Sequence, residues 1–313
     1  MKDSRDSNTL GLGICRILFY LLVYRYMVAW DYLLHWKNVP SELWLGQGLA
    51  RPLVFLRDSL NWSFVFWIWK VSLLTSAIGL LSRLSVILAF ASGFLLIGHA
   101  QSFGYYTHSF MPILWGLFVM CFSKVGDSFS VDQVLKKYFF LGKDFPTLNG
   151  WTITAKETIF FFRLILCTVF FTAAISKIQI GGLDWFAREN LFNFMARAWV
   201  WHRDIKPAGS EVVSSYLFQH ASWLPLFGAG AFLLELMAPL ALLSRKSFKI
   251  IILGLFVMQQ LIKYTLLVSF SLYFSLYIFW IPWGNLVQWC MSVGLNSLRS
   301  MKFVNFCKKK FFP

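Results

Sequence analysis

The sequence predicts an all-α, polytopic integral membrane bundle of about eight transmembrane helices. Both termini are expected to be cytoplasmic, with outer segments that are interfacial or re-entrant. Three observations carry this expectation. Of 313 residues, 58% are hydrophobic, 19% aromatic and only 14% charged, against about 25% charged in an average soluble domain. Apolar runs of bilayer length recur along the chain, and most lysines and arginines fall in the loops between them. A chain of this composition cannot cover itself with solvated groups, which argues against soluble enzymes, nucleic-acid binders and secreted disulfide scaffolds. The net charge of +15 would point to nucleic acid in a soluble chain. Its placement in membrane-flanking loops points to lipid instead, and no nucleic-acid partner is expected.

A spanning helix needs about 20 mostly apolar residues. Eight segments qualify or nearly do: 10–30, 62–81, 84–100, 107–123, 157–176, 223–243, 248–266 and 267–283. The first retains Arg16 and Arg25 and has no small-residue cleavage site, so it reads as an uncleaved signal-anchor. The last two form one apolar stretch, with a turn expected near Val268–Ser271. With the N-terminus inside, the inner loops hold sixteen Lys and Arg and the outer loops eight. All eight outer charges lie in the two long segments 31–61 and 177–222, and both short outer hairpins carry none. That asymmetry is the positive-inside pattern.

The two long outer segments are rich in tryptophan (Trp36, Trp44, Trp185, Trp199, Trp201), a ring that favours the headgroup level. Residues 1–285 are expected to form the membrane domain. Residues 286–313, ending in Lys308-Lys309-Lys310-Phe311-Phe312, read as an amphipathic basic tail on an anionic inner leaflet. The five cysteines, Cys15, Cys121, Cys167, Cys290 and Cys307, are scattered without C-x-x-C spacing and read as reduced thiols.

An ionisable residue inside a span is costly and marks a candidate site. Arg16, Lys70, Arg83 and Arg163 fit snorkelling or structural pairing. Glu235 lies deep in its predicted span, where it must be protonated or face a partner. Lys263 follows Gln259 by four residues on one helix face. His108 opens the fourth span and Lys177 closes the fifth, so both are expected at the outer face. His99 ends the third span at a comparable level. Spacing allows these groups to converge without requiring it. A poorly hydrated lysine disfavours its charged form and can act as a general base towards a hydrophobic acid. A histidine beside it can hold a substrate oxygen or relay a proton. The bland alternative is a lysine and a histidine at the interface. No metalloprotease, P-loop, nucleophile-elbow or dinucleotide motif occurs, and no metal is expected. A haem on His99 and His108 is conceivable but rests on two histidines alone.

Several segments resemble one known family. Ser176-Lys177-Ile178, followed by Leu183-Asp184-Trp185, resembles the K-L-x-x-x-W motif of the HTTM family. That family is the membrane domain shared by vitamin K-dependent gamma-carboxylase and many bacterial proteins. Thr107-His108-Ser109-Phe110 resembles its N-H-S-Y segment, and Ser128-Phe129-Ser130-Val131-Asp132 its W-S-V-D. Gly79-Leu80-Leu81-Ser82-Arg83-Leu84-Ser85 resembles its G-L-x-x-R-x-S turn, and the early Arg16 also fits. The matches cover roughly residues 10–285 in the family's order.

The resemblance implies that Lys177 is the base that deprotonates a reduced naphthoquinone before oxygen attacks, with His108 supporting that chemistry. It implies glutamate carboxylation driven by the basic oxygenated product, in a site facing the lumen, equivalent to outside. On this reading Trp185, Glu235, Lys263, Gln259 and His99 shape the substrate site. The protein would sit in a bacterial plasma membrane, and a secreted peptide is the expected partner beside membrane lipid. Three departures stand. The lysine-to-tryptophan spacing is longer, Ser176 replaces a second lysine, and the sequence ends soon after its last span. The large lumenal portion that anchors carboxylase substrates is therefore not expected here, which points to a quinone reaction or a small peptide. Two other readings stay open: a non-catalytic partner for maturation, export or immunity of a peptide, and an electron-transfer haem protein.

Overall fold

The long apolar runs fold as helices, and no strand occurs among the described residues; one isolated bridge joins Ser123 to Ile153. The computed structural model describes residues 2–292 except 29–32, 34–37, 46, 47, 49, 50, 52–54, 57, 58, 105–109, 140–151, 202–206, 269 and 291. In chain order the α-helices are α1 (Lys2–Val23), α2 (Trp62–Ile78), α3 (Ser82–Ser102), α4 (Phe110–Phe122) and α5 (Val131–Phe139). They continue with α6 (Ala155–Gly181), α7 (Arg188–Trp201), α8 (Ser210–Gln219), α9 (Leu224–Leu236), α10 (Arg245–Leu266) and the short α11 (Phe274–Tyr277).

Among the described residues four helical stretches are long and apolar enough to cross a membrane: Ser7–Val28, Ser82–Ser102, Ala155–Phe186 and Ser247–Leu266. They coincide with the candidate segments 10–30, 84–100, 157–176 and 248–266. The other four segments are helical but differ from straight spans. α2 stops after 17 residues, where Gly79 caps it at φ 70°. α4 has 13 residues, about 20 Å of helix at 1.5 Å per residue. Segment 223–243 is not one rod. α9 ends at Leu236 and is followed by a 3₁₀ turn, Ala238–Leu242, that carries Pro239; just ahead of the segment, α8 and α9 meet at 88°. Segment 267–283 is a run of short turns around α11 rather than one helix.

The chain divides into two compact units. The first comprises Met1–Thr107, Leu114–Phe160 and Tyr277–Pro313. Its centre is the α2–α3 pair. Phe66, Trp69 and Leu73 form the buried stripe of α2. α3 answers with small residues, Ser85, Ala89, Ser92 and Gly93, all buried. Small residues let helix backbones approach closely where lipid offers no hydrophobic drive. A Cβ on Gly93 would lie 3.0 Å from the Trp69 indole nitrogen. Against α1, Phe19 meets Phe279 edge to face at 6.1 Å, and the Cys15 thiol reaches the Ile278 carbonyl at 3.7 Å.

The second unit comprises His108–Ile113 and Phe161–Leu276. Met195, Leu217, Ala221 and Leu224 form its buried cluster, with Leu191, Val213, Phe218 and Leu266 packed against it. The last carbonyls of a helix lack partners within it. At the end of α10 they are taken from outside: Trp199 donates its indole N–H to Thr265 at 3.2 Å, and the Ser214 hydroxyl donates to Tyr264 at 3.1 Å. Helix starts are capped by the expected chemistry. Thr154 and Glu157 form a reciprocal capping box at α6, and the Ser244 hydroxyl accepts the Ser247 N–H at α10.

Candidate functional site

Lys177 lies in the last turns of α6. After Gly181 the chain turns at Gly182, whose φ of 54° is strained for any residue with a Cβ. A 3₁₀ turn, Gly182–Phe186, then folds Trp185 back towards the helix it left. The Trp185 ring packs on Phe194 of α7 with centroids 5.3 Å apart. The next residue, Phe186, meets Phe232 of α9 edge to face at 5.3 Å. Residues three apart share a helix face, so this contact sets the position of Glu235 on α9.

At that point Glu235 forms an ion pair and hydrogen bond with the Lys177 ammonium. The Lys177 and Glu235 side chains are 18% and 6% exposed, so neither is hydrated as a surface group would be. The Lys177 nitrogen also stands 5.7 Å from the Trp185 ring centroid, within range of a cation–π attraction. Beside them Ile180 and Leu183 are 88% and 81% exposed, an apolar approach to a polar pair. The arrangement offers one amine, one carboxylate and one aromatic face in an apolar wall. It suits proton exchange with a ligand that arrives from an apolar phase.

Of the residues predicted for the site, the structure brings Lys177, Glu235 and Trp185 together. Gln259 and Lys263 belong to the same unit on α10. Gln259 is buried, and its amide nitrogen has no hydrogen-bond partner among the described residues. Lys263 is half-buried one turn further on. His99 belongs to the other unit, where its ring stacks on Trp62 at 3.8 Å, with Trp44 at 5.4 Å and Phe103 at 5.2 Å. His108 lies outside the described residues. Sequence reasoning did not single out Phe186, Phe194 or Phe232, which position the pair. The doublet Trp185-Phe186, three residues beyond the Gly181-Gly182 pair, was the available signal.

A second polar cluster gathers three of the family-like segments within the first unit. Arg16, fully buried, donates to the Val125 and Phe129 carbonyls. Asp132 accepts the backbone N–H groups of Leu81 and Ser82 at 2.8 and 2.7 Å, and returns its own N–H to the Gly79 carbonyl at 3.1 Å. A Cβ on Gly79 would stand 2.9 Å from both Arg16 and the Ser130 Cα. This cluster ties loops to a helix start and carries no exposed reactive group. Among the described residues no group of three His, Cys, Asp or Glu could hold a metal ion, and none of the four described cysteines forms a disulfide. The chain matches no protein-family model, no curated protein and no solved structure.

Proposed function

We propose that this protein is an integral membrane enzyme resembling vitamin K-dependent gamma-carboxylase. In this reading Lys177 is the base acting on a lipid-soluble hydroquinone or similar weak acid. The single observation that carries it is the amine of Lys177, largely withdrawn from water, held between the Glu235 carboxylate and the face of Trp185. A structural lysine near a helix end would snorkel towards water. This one is held instead by a buried carboxylate and an aromatic ring. A reduced naphthoquinone fits the surroundings, with the Trp185 face for its rings and Lys177 for its hydroxyl. When bound it supplies an acidic O–H and the reducing power for reaction with oxygen. Lys177, once its own proton has passed to Glu235, accepts the ligand's proton at Nζ, Trp185 orients the rings, and the apolar surroundings exclude water from the exchange.

Eight spans with both termini inside remain part of the proposal, in a bacterial plasma membrane with Lys177 towards the outer face. The four long helices and the positive-inside bias support it. The second reading is a non-catalytic membrane partner for maturation, export or immunity of a secreted peptide. The apolar exposure of Ile180 and Leu183 beside Lys177 favours a peptide contact there. The experiment that separates them is chromatographic. Purified protein is mixed with reduced naphthoquinone and oxygen, and epoxide is followed for wild type and Lys177→Ala. Epoxide from wild type alone supports the enzyme. No epoxide from folded wild type removes it and leaves the peptide partner, to be tested next by capture.

A further inference from the structure

We propose that Glu235 is the resting counter-ion of Lys177 and the final proton acceptor when a weak acid binds there. The ligand's oxyanion takes the carboxylate's place on the ammonium, and Glu235 keeps the proton. This rests on Lys177 being the base and assigns the other half of the exchange. It also fixes the class of ligand.

The argument starts from charge balance. Lys177 and Glu235 are both poorly exposed and face each other. A lone charge in such surroundings is disfavoured by several kcal/mol, and breaking a buried pair strands one. Whatever reaches Lys177 must therefore leave the site neutral overall. A permanently charged anion does so only if Glu235 also takes up a proton from water; otherwise it adds a negative charge beside the carboxylate. An acid that arrives protonated brings that proton itself.

The steps balance without any oxidant or reductant. A proton moves from Lys177 Nζ to Glu235 Oε2, giving an amine and a carboxylic acid. The Lys177 amine then takes the proton of the ligand O–H: that O–H bond breaks and an N–H bond forms. The result is an ammonium paired with an oxyanion, and a neutral Glu235. Net charge is zero at each stage, so no stage requires an unpaired charge in the apolar wall.

The surroundings choose among neutral acids. The Trp185 face, which packs on Phe194, and the exposed Ile180 and Leu183 match a planar, apolar body such as a phenol or hydroquinone.

The test uses the full-length protein in detergent with an alkyl nitrophenol whose anion absorbs in the visible. Bound anion is read by absorbance, and proton release by an indicator dye in weak buffer. The expected result is bound anion with far less than one proton released per anion, because Glu235 retains it. One proton released per anion would overturn the role of Glu235 while leaving Lys177 as the base. No bound anion in folded wild type would overturn both readings, and an alkyl sulfonate that competed equally well would overturn the assigned ligand class. Independently, Lys177 labelling by phenyl isothiocyanate near neutral pH, read by mass spectrometry, should rise about tenfold or more in Glu235→Gln. Glu235→Asp should restore most of the protection. Labelling unchanged in folded Glu235→Gln would overturn the counter-ion.

Discussion

The Asp132 carboxylate caps α3 from outside that helix, accepting the backbone N–H of Ser82, 50 residues earlier in the chain, at 2.7 Å. The same carboxylate holds Leu81 N–H at 2.8 Å, so one side chain satisfies two donors at a helix start that has no cap of its own. Leu81, the cap position, sits at φ 47° and makes no side-chain hydrogen bond. Asp132→Ala should cost about 1–2 kcal/mol, the range for a lost helix cap, with Asp132→Asn costing less because the amide oxygen still accepts. Thermal unfolding in detergent would show the order wild type, Asn, Ala. Equal stability of wild type and Ala would mean the cap is replaced by water.

Arg16 holds a different part of the same cluster. Its guanidinium serves two carbonyls, Val125 and Phe129, and its side chain is fully buried. Arg16→Met keeps the length and leaves both acceptors without their donor, each costing about 1–3 kcal/mol when buried. Arg16→Lys should recover only part, since a single ammonium cannot reproduce the fork. The yield of monodisperse protein and its unfolding temperature should both fall in the order Arg, Lys, Met. A Met variant as stable as wild type would remove Arg16 from the fold's support.

Hydropathy made the long helices legible. The cluster around Arg16 was not: Arg16 was read as snorkelling or structurally paired, Gly79 and Asp132 only as parts of two segments that resemble a family, and the structure joins the three. Hydropathy could not say that α8 and α9 meet at 88°. An apolar window does not see the bend at His220, between Gln219 and Ala221, or the 3₁₀ turn that carries Pro239. Glu235 illustrates the same blind spot at the site. Its place deep in an apolar run gave it a burial problem, and only the structure gives it Lys177 as the partner. Trp185 was singled out because a tryptophan soon after the lysine resembles a family motif, at a longer spacing. His99 was read as part of the same outer site, yet its ring is occupied by a tryptophan stack within the first unit. No residue pattern distinguishes a stacked histidine from a ligand-facing one.

The proposed topology makes a prediction that does not depend on activity. Reporter fusions that fluoresce only in the cytoplasm should be bright after Pro313 and after Asp127, and dark after Pro207. A phosphatase active only outside should give the reverse pattern. The charge bias behind this is sixteen basic residues against eight, and orientation follows that bias when loops are short. A dark C-terminal fusion with an active phosphatase there would leave an odd number of crossings. The short pieces around α11 would then be the first segment to lose its span.

The energetic role of the Lys177–Glu235 pair can be separated from its chemical role by a double-mutant cycle. Each side chain is poorly exposed, so removing one partner strands the other. Lys177→Met should destabilise the second unit by about 3–5 kcal/mol in the limit where Glu235 stays charged, and less where it takes up a proton. Glu235→Leu should cost a similar amount for the mirror reason. The double variant should be close to wild type in stability, because an apolar pair of similar volume carries no stranded charge. Unfolding followed by Trp fluorescence, with Trp185 beside the pair, would read all four corners. Recovery of stability in the double variant with no recovery of epoxide or bound anion would place the pair in the chemistry. Recovery of both would reduce it to a device of the fold. Additive losses at the two single sites would mean that the pair is not coupled, and would remove the ion pair as the explanation of why either residue lies in an apolar bundle.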